Sequence, residues 1–581
     1  MRRALLLLAL LPAPVFAADP LPVFAPHFMV VSAHRLATAA GVDVLRRGGN
    51  AVDAAVAVGY ALAAAYPAAG NLGGGGFMTL RLADGRTTFL DFREKAPIAA
   101  TQGMFLGPDG AVVPGRSTKT WLAVGVPGTV AGLEYARSHY GTRTRDELIA
   151  PAIRIAQDGF VLDAGDIALF AQATQDFASD PAAAAIFLND GRPFAEGDRL
   201  RQPDLAHTLE RISLDGPGSV YGGPIGAAIV SASTAGGGLL APEDFTRYAV
   251  RELPTIGCDY RGYQVISAPP PSSGGVVLCE ILGVLEGFDL HKAGFHSAAE
   301  VHLMVEAMRR AYFDRNNRLG DPAFVSNPVT ELLSRDYTAT LRDSIDPARA
   351  TPSSSLHAAE PGREGTQTTE FAVVDAAGNA VSVTYTLNSW FGVRKVAPGT
   401  GVLLNNEMDD FTAKPGVANM FGLVQGSANA VAPGKTPLSS MTPTIVTKDG
   451  HLVLVLGSPG GSRIITTVLE TLVNVIDHAM TIQEAIDAPR VHHQWLPDTI
   501  YAETGALSAD TRAVLVSEGY TITDGAPWGI AEGILAGKLR LGEAPPVRAA
   551  GSLDLGAVAL SGSGLFGAHD PRGPTGLAAG E

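Results

Sequence analysis

Hydrophobic and polar positions along the chain fall into stretches of helical period and stretches of strand period. Residues 36–47 read as a helix stopped by Gly48-Gly49. Residues 51–65 follow, almost wholly apolar apart from Asp53 and too short for a bilayer, which predicts a helix buried between layers. Asn71-Leu-Gly-Gly-Gly-Gly-Phe77 is a side-chain-poor loop in which two backbones can approach closely, ahead of a strand over 78–82. Ser297-Ala-Ala-Glu300 is a capping box. The helix it opens places Val301, Met304, Val305, Met308, Ala311 and Tyr312 on one core-facing side and ends in a polar stop from Asp314-Arg315 to Gly320-Asp321-Pro322.

The stretch 364–388 reads as a lead-in, two short strands and a tight turn. Residues 371–374 are apolar and β-prone, and 375–379 supply turn residues. Residues 380–386 alternate, with Val381, Val383 and Tyr385 on one face and Ser382, Thr384 and Thr386 on the other. A hairpin centred on Ala377 sets Thr386 opposite Thr368, with Cβ atoms roughly 5 Å apart. A slip of one residue would undo that pairing. Thr368-Thr369 therefore has two readings. One is a pair of β-branched residues opening a strand; the other is an N-terminal threonine nucleophile, exposed by cleavage before Thr368.

Further along, 401–405 is a strand running into the carboxylates Glu407, Asp409 and Asp410, and 413–425 is a loop with Phe421 near its middle. Residues 443–447 and 452–456 read as strands. Gly457-Ser-Pro-Gly-Gly-Ser462 and a helix over 463–478 follow, a geometry in which backbone N–H groups converge on an anion, or a plain tight turn. Arg93, at the end of a strand, is a structural arginine or a fork for a carboxylate. Gly434-Lys435-Thr436 has Asn429 where a phosphate loop needs glycine. H-E-x-x-H and G-x-S-x-G are absent, and His492 and His493 are adjacent rather than on one helix face. No metal and no cofactor are expected.

At 581 residues with 46% hydrophobic and 17% charged positions, the chain predicts two domains or one large α/β body. A net charge of −15 with no basic run argues against nucleic acid or an anionic membrane surface as a partner. Arg2-Arg3, an apolar run over 4–16 and Val15-Phe16-Ala17 predict a signal peptide over 1–17, hence a secreted or periplasmic protein with no membrane anchor once it is removed. Cys258 and Cys279 form one disulfide or remain two buried thiols.

Six motifs in order carry a resemblance: G-G-N-A-V-D-A-A from Gly48, D-F-R-E-K-A-P from Asp91, Q-T-T from Gln367, N-N-E-M-D-D from Asn405, P-L-S-S-M from Pro437 and G-S-P-G-G-S-R from Gly457. From about Val31 to Pro497, and again at 567–572, the chain resembles the γ-glutamyltransferases (glutathione hydrolases), a family of N-terminal-nucleophile hydrolases. The resemblance implies an α+β fold, a four-layer αββα sandwich. It also implies a proenzyme cut at Gln367–Thr368 into a large subunit, 18–367, and a small catalytic subunit, 368–581, held as a heterodimer.

By the same resemblance Thr368 is the nucleophile, Thr386 orients its hydroxyl and Thr369 helps position the new terminus. Gly460 and Gly461 supply oxyanion donors. Arg93, Ser439 and Ser440 take the α-carboxylate of a γ-glutamyl donor such as glutathione, and Asp410, Glu407 and Asn388 its ammonium end. Water, amino acids or peptides accept the acyl group. The chain departs from the family at Glu370, usually His, which shares a strand face with Thr368. A carboxylate there is expected to raise the α-amine pKa and shift the working pH upward. Thr436, Phe421 (usually Tyr), Trp390 and Arg394-Lys395 also depart, which bears on acceptor choice. Two alternatives are a cephalosporin-acylase-like amidase of the same fold and an unprocessed, inactive binding protein. The pairing of Arg93 with Asp410 and Glu407 suits a zwitterionic glutamyl end and disfavours the acylase.

Overall fold

A computed structural model describes residues 21–356, 368–542 and 564–581. The signal-peptide stretch, the linker over 357–366, Gln367 and most of the 530–560 segment lie outside the described residues.

The strands that build the body are β1 (Val23–Ala25), β2 (Met29–Ser32), β3 (Gly75–Arg81), β4 (Thr87–Asp91), β5 (Arg251–Leu253), β6 (Ile256–Tyr260), β7 (Tyr263–Ser267), β8 (Thr369–Val374), β9 (Ala380–Thr386), β10 (Thr444–Lys448), β11 (His451–Gly457), β12 (Glu532–Gly537), β13 (Gly564–His569) and β14 (Leu577–Gly580). They form two seven-stranded sheets, in the orders β14-β2-β8-β9-β3-β4-β5 and β1-β13-β12-β11-β10-β7-β6, with every neighbour antiparallel. The helices that flank them include α1 (Arg35–Arg46), α2 (Ala51–Ala65), α3 (Thr129–Tyr140), α4 (Arg145–Asp158), α5 (Gly274–Leu285), α6 (Ala298–Arg318), α7 (Ile464–Ile476) and α8 (Ile482–Asp487).

One core lies between α1–α4 and the first sheet, including Val58, Leu62, Phe371, Val383 and Tyr385. A second lies between α5–α8 and the other sheet, including Leu278, Met308, Leu454 and Leu472. A thin apolar layer of Val31, Ala372, Val374, Ile445, Val455 and Ile534 joins the sheets face to face. The fold is the expected four-layer αββα sandwich.

Helix α2 is buried at every position. Its Asp53 is not a core anomaly but half of a capping box with Asn50. Strand β3 begins at Gly75, three residues before the expected start, because the tetraglycine itself pairs with β9. A Cβ at Gly74 would sit 1.9 Å from the Thr386 carbonyl oxygen, so only glycine lets the two backbones meet. Helix α6 runs to Arg318, and Asp314, Arg315 and Asn316 are buried in its last turns. The polar stretch expected to end the helix belongs to its interior-facing surface.

The β8–β9 register pairs Thr369 with Tyr385, Phe371 with Val383 and Val374 with Ala380. This is the hairpin centred on Ala377, and one further step sets Thr368 opposite Thr386. Both faces of β9 are buried. Val381, Val383 and Tyr385 enter the helix-side core, while Ser382 reaches the Leu456 carbonyl of the opposite sheet. The polar face that alternation would ordinarily turn to water thus lies between the sheets.

Cys258 and Cys279 are joined, tying β6 to α5 across a separation of 21 residues. A closed loop of that size restricts the unfolded chain by about 3 kcal/mol. Replacing both cysteines by serine is expected to lower unfolding stability by roughly that amount, measured by denaturant titration against the parent.

Candidate active site

Thr368 sits at the open end of the inter-sheet layer and is 4% exposed. Thr386 Oγ1 accepts the Asn388 N–H at 2.8 Å, which leaves its own proton to donate elsewhere. Asn388 follows with φ 73°, a left-handed position asparagine tolerates, and its Nδ2 donates to the Asn406 carbonyl at 3.0 Å. Asn405 ties this corner together. Its Nδ2 donates to the carbonyls of Gly73 and Gly125, and its Oδ1 accepts the N–H groups of Gly125 and Glu407.

Strand β11 ends at Gly457, and Gly460 and Gly461 follow at φ 142° and 57°, backbone positions that favour glycine. A short 3-10 turn, Gly461–Arg463, then leads into α7. Among the described residues neither glycine N–H has a hydrogen-bond partner.

A single cavity gathers Arg93, Thr368, Thr386, Asn388, Glu407, Asp410, Ser439, Ser440 and Gly461. Every sequence-predicted catalytic and substrate residue therefore lines it except Gly460, the immediate neighbour of Gly461, and Thr369, the neighbour of Thr368; the cavity also takes in Phe421. It further includes Arg315, Leu423, Met441, Ser462 and Ile464, which sequence reasoning missed. The signal for Arg315 was present, since it continues the Met308, Ala311, Tyr312 stripe of α6 by one more turn. Among the described residues the buried Ser462 hydroxyl has no partner.

Arg93 is 1% exposed. Asp91 Oδ1 accepts its N–H at 3.0 Å, and its Nε donates to the Pro437 carbonyl at 3.0 Å. Its two Nη atoms reach Glu407 Oε1 at 2.6 Å and Asp410 Oδ2 at 2.5 Å. The groups assigned to opposite ends of a substrate therefore already meet one another. Burial would lower the Arg93 pKa, but Glu407 and Asp410 more than offset it and hold the guanidinium charged. Burial also pushes Glu407 well above the carboxylate range, with Arg93 opposing it, and raises the adjacent Glu94 to about 7.

The loop carrying Phe421 is anchored through Asp409. Asp409 Oδ2 accepts the Met420 N–H at 2.9 Å and Oδ1 the Ser117 hydroxyl at 2.5 Å. Trp390, Arg394 and Lys395 do not line the cavity. Arg394 pairs with Asp176 at 2.6 Å, and Trp390 packs edge-on against Tyr66.

Glu370 requires a correction. It shares the Thr368 face as expected but is fully buried against Gly457. Burial pushes its carboxyl well above the usual range, opposed by hydrogen bonds from Thr384 and Ser382. Ser382 Oγ lies 2.7 Å from Glu370 Oε1 and 3.2 Å from the Leu456 carbonyl oxygen. One hydroxyl proton cannot serve both acceptors at once, which together with burial favours the neutral form of Glu370. A neutral carboxyl does not raise the pKa of a nearby amine, so the expected alkaline shift is withdrawn.

Glu370→Gln is accordingly expected to mature normally and to keep the parent's pH–activity profile. Its stability relative to the parent should change with pH. The folded pKa of Glu370 is raised, so its contribution is fully present below about pH 4.3, the unfolded value, and is lost as pH rises toward the folded pKa. The glutamine variant should therefore gain on the parent as pH increases, read from melting temperatures across pH 5–9.

Comparison with known proteins agrees with this geometry. The gamma-glutamyltranspeptidase family profile matches residues 37–549. The chain belongs to the gamma-glutamyltranspeptidase family. A glutathione hydrolase proenzyme from Pseudomonas sp. (strain A14) is 54% identical over 97% of this chain and 96% of its own. The gamma-glutamyltranspeptidase of Helicobacter pylori is 41% identical, covering 58% of this chain and 95% of that chain with a TM-score of 0.55. A cephalosporin acylase from Bacillus halodurans superposes with a TM-score of 0.82 at 25% identity, over 99% of both chains. This member of the family thus carries its motifs on a fold shared with an acylase.

Proposed function

We propose that the protein is a γ-glutamyltransferase that also hydrolyses glutathione, made as one chain and matured by cutting its own Gln367–Thr368 bond. The observation that carries this reading is a cavity in which Thr368 meets two guanidiniums, two carboxylates and three serine hydroxyls. That set complements a zwitterionic amino-acid end next to a nucleophile. Maturation would leave a large subunit, 18–367, and a small one, 368–581, held together by the sheets they share.

In the mature enzyme the new α-amine of Thr368, with a pKa of about 7.7–8.0, is neutral often enough near pH 7 to act as base. It takes the Thr368 hydroxyl proton as Oγ attacks the γ-carbonyl carbon. Gly460 and Gly461 N–H groups hold the oxyanion, a contribution of about 3–4 kcal/mol per donor. Thr386 donates to Oγ and fixes its direction, and Thr369, whose buried hydroxyl has no partner among the described residues, positions the terminus. The amine returns the proton to the leaving nitrogen, the C–N bond breaks and a γ-glutamyl ester remains on Thr368. Water or the amine of an amino acid or peptide then attacks the ester. The donor's carboxylate lies on Arg93, Ser439 and Ser440, and its ammonium on Asp410 and Glu407 beside Asn388.

An exported, periplasmic enzyme fits the leader read over 1–17 and the Cys258–Cys279 disulfide, a bond that persists in oxidising compartments. Among the described residues no helix is long and apolar enough to cross a membrane.

The test is N-terminal sequencing of the smaller fragment, expected to read Thr-Thr-Glu-Phe-Ala, together with release of p-nitroaniline from γ-glutamyl-p-nitroanilide. A single uncut chain without turnover overturns the reading. The likeness to a cephalosporin acylase favours a second one, removal of a glutaryl side chain. A glutaryl end has no ammonium and would leave Asp410 and Glu407 without a cation from the substrate. Preference for glutaryl-cephalosporin over the γ-glutamyl donor would reverse the assignment.

A further inference from the structure

We propose that Arg315 is a positioning residue that commits Ser440 to the donor's α-carboxylate and gives the cavity its uncommitted positive charge, an inference resting on the γ-glutamyl reading above. Arg315 lies in the last turns of α6 and is 1% exposed. All its hydrogen bonds go to neutral acceptors: Ser273 Oγ at 2.9 Å, Asn316 Oδ1 at 2.9 Å, Gln425 Oε1 at 3.3 Å and Ser440 Oγ at 2.8 Å. Among the described residues no carboxylate lies within ion-pair distance of it. Arg93 in the same cavity is spanned by Glu407 and Asp410.

A buried cation without an anion is costly to hold, and the cost is recovered when an anion binds beside it. Burial draws the Arg315 pKa down to about 10, which still leaves it cationic at neutral pH. Asp410 opposes that fall, but only at longer range. The cavity's positive charge not already matched by a carboxylate is therefore on Arg315.

The hydrogen-bond geometry gives that charge a direction. Ser440 Oγ accepts from Arg315 Nη2, so its single proton is free to donate into the cavity and is polarised by the cation. Ser439 Oγ accepts the Met441 N–H at 3.0 Å and is committed in the same sense. Two adjacent hydroxyls thus present two O–H donors, the number a carboxylate's two oxygens require. Gln425, which receives another Arg315 N–H, donates to the Asp410 carbonyl at 3.2 Å. This links the same arginine to the segment that takes the ammonium.

The test uses matured full-length enzyme and two donors, γ-glutamyl-p-nitroanilide and its α-carboxamide counterpart. Arg315→Gln is expected to raise KM for the carboxylate donor about 30-fold or more with kcat within about threefold, while kcat/KM for the carboxamide donor moves less than about threefold. Arg315→Lys should recover part of the loss because it keeps the charge. Equal losses on both donors would assign Arg315 to structure alone, and no loss on either would also overturn the proposal. If the glutamine variant does not mature, a cycle of Arg315→Lys, Ser440→Ala and the double variant decides. The inference expects the double loss on the carboxylate donor to fall well short of the product of the single losses, and independent effects overturn it. Failure of the parent to use any γ-glutamyl donor would instead strike the function reading.

Discussion

Thr368→Ala is expected to accumulate as one uncut chain and to lose γ-glutamyl transfer and glutathione hydrolysis by a factor on the order of 10⁴ or more. Both losses have one cause. Under the proposed function Thr368 Oγ would attack the Gln367 carbonyl carbon before maturation, the peptide C–N bond would break, and water would release the resulting ester. After maturation the same oxygen would attack the donor. Thr368 is buried, and one step beyond the Thr369–Tyr385 pair the register sets Thr386 opposite it. Thr368→Ser separates hydroxyl chemistry from shape. It should mature more slowly and retain measurable turnover, because the nucleophile survives while the methyl group that restricts its rotamer is gone. A denaturing gel over time, with p-nitroaniline release, reads both. Two fragments from the alanine variant would refute the assignment.

Arg93→Met should raise KM for the donor by about 10²–10³ and lower stability by about 3–5 kcal/mol, the usual result of removing one partner from a buried ion cluster. Without the guanidinium, Glu407 and Asp410 remain buried beside each other and Glu94, with Arg315 acting on Asp410 only at longer range. The sign follows from the direction of its influence. Arg93 opposes the upward push of burial on both carboxyls, so its loss raises their pKa values further and neutralises them over a wider range. Ammonium binding needs the carboxylate form, and the KM minimum should therefore move to higher pH. Asp410→Asn is the control. It keeps Arg93 paired with Glu407 and should cost less stability while still weakening the donor. A pH series of KM and a thermal melt on each variant check the pair, and an Arg93→Met protein as stable as the parent would show that the cluster is not held by that arginine.

The sequence made much of this site legible because its signals are local. The turn at 375–379 and the alternation over 380–386 predict the β8–β9 register, and the structure has it. The all-apolar run over 51–65 predicts a buried helix, and α2 is one. Five of the six motifs, far apart in the chain, bring residues to the one cavity as the family resemblance implies, while Gly48–Ala55 meets Asp375 at the turn end of the β8–β9 hairpin. Other features were misread where local pattern and spatial role part company. The tetraglycine reads as a loop, yet its last two residues are β3 residues pressed on β9. Asp314-Arg315 reads as the polar end of a helix, yet both are buried. Trp390 and Arg394-Lys395 are departures from the family in sequence, but none of them lines the cavity. The Cys258–Cys279 pairing needed the positions of β6 and α5.

By itself the chain determined which threonine faces Thr368 across the hairpin and where glycines permit a turn before a helix, while the nucleophile reading came only with the family motifs. These follow from a strand period that every residue inherits through its covalent neighbours. Only the tertiary structure decided the charges: a Glu370 carboxyl buried between sheets and pushed up in pKa, Arg93 spanned by two acids, Arg315 among neutral acceptors. Ionisation depends on how much water is excluded and which atoms arrive from distant segments, and no local spacing records either.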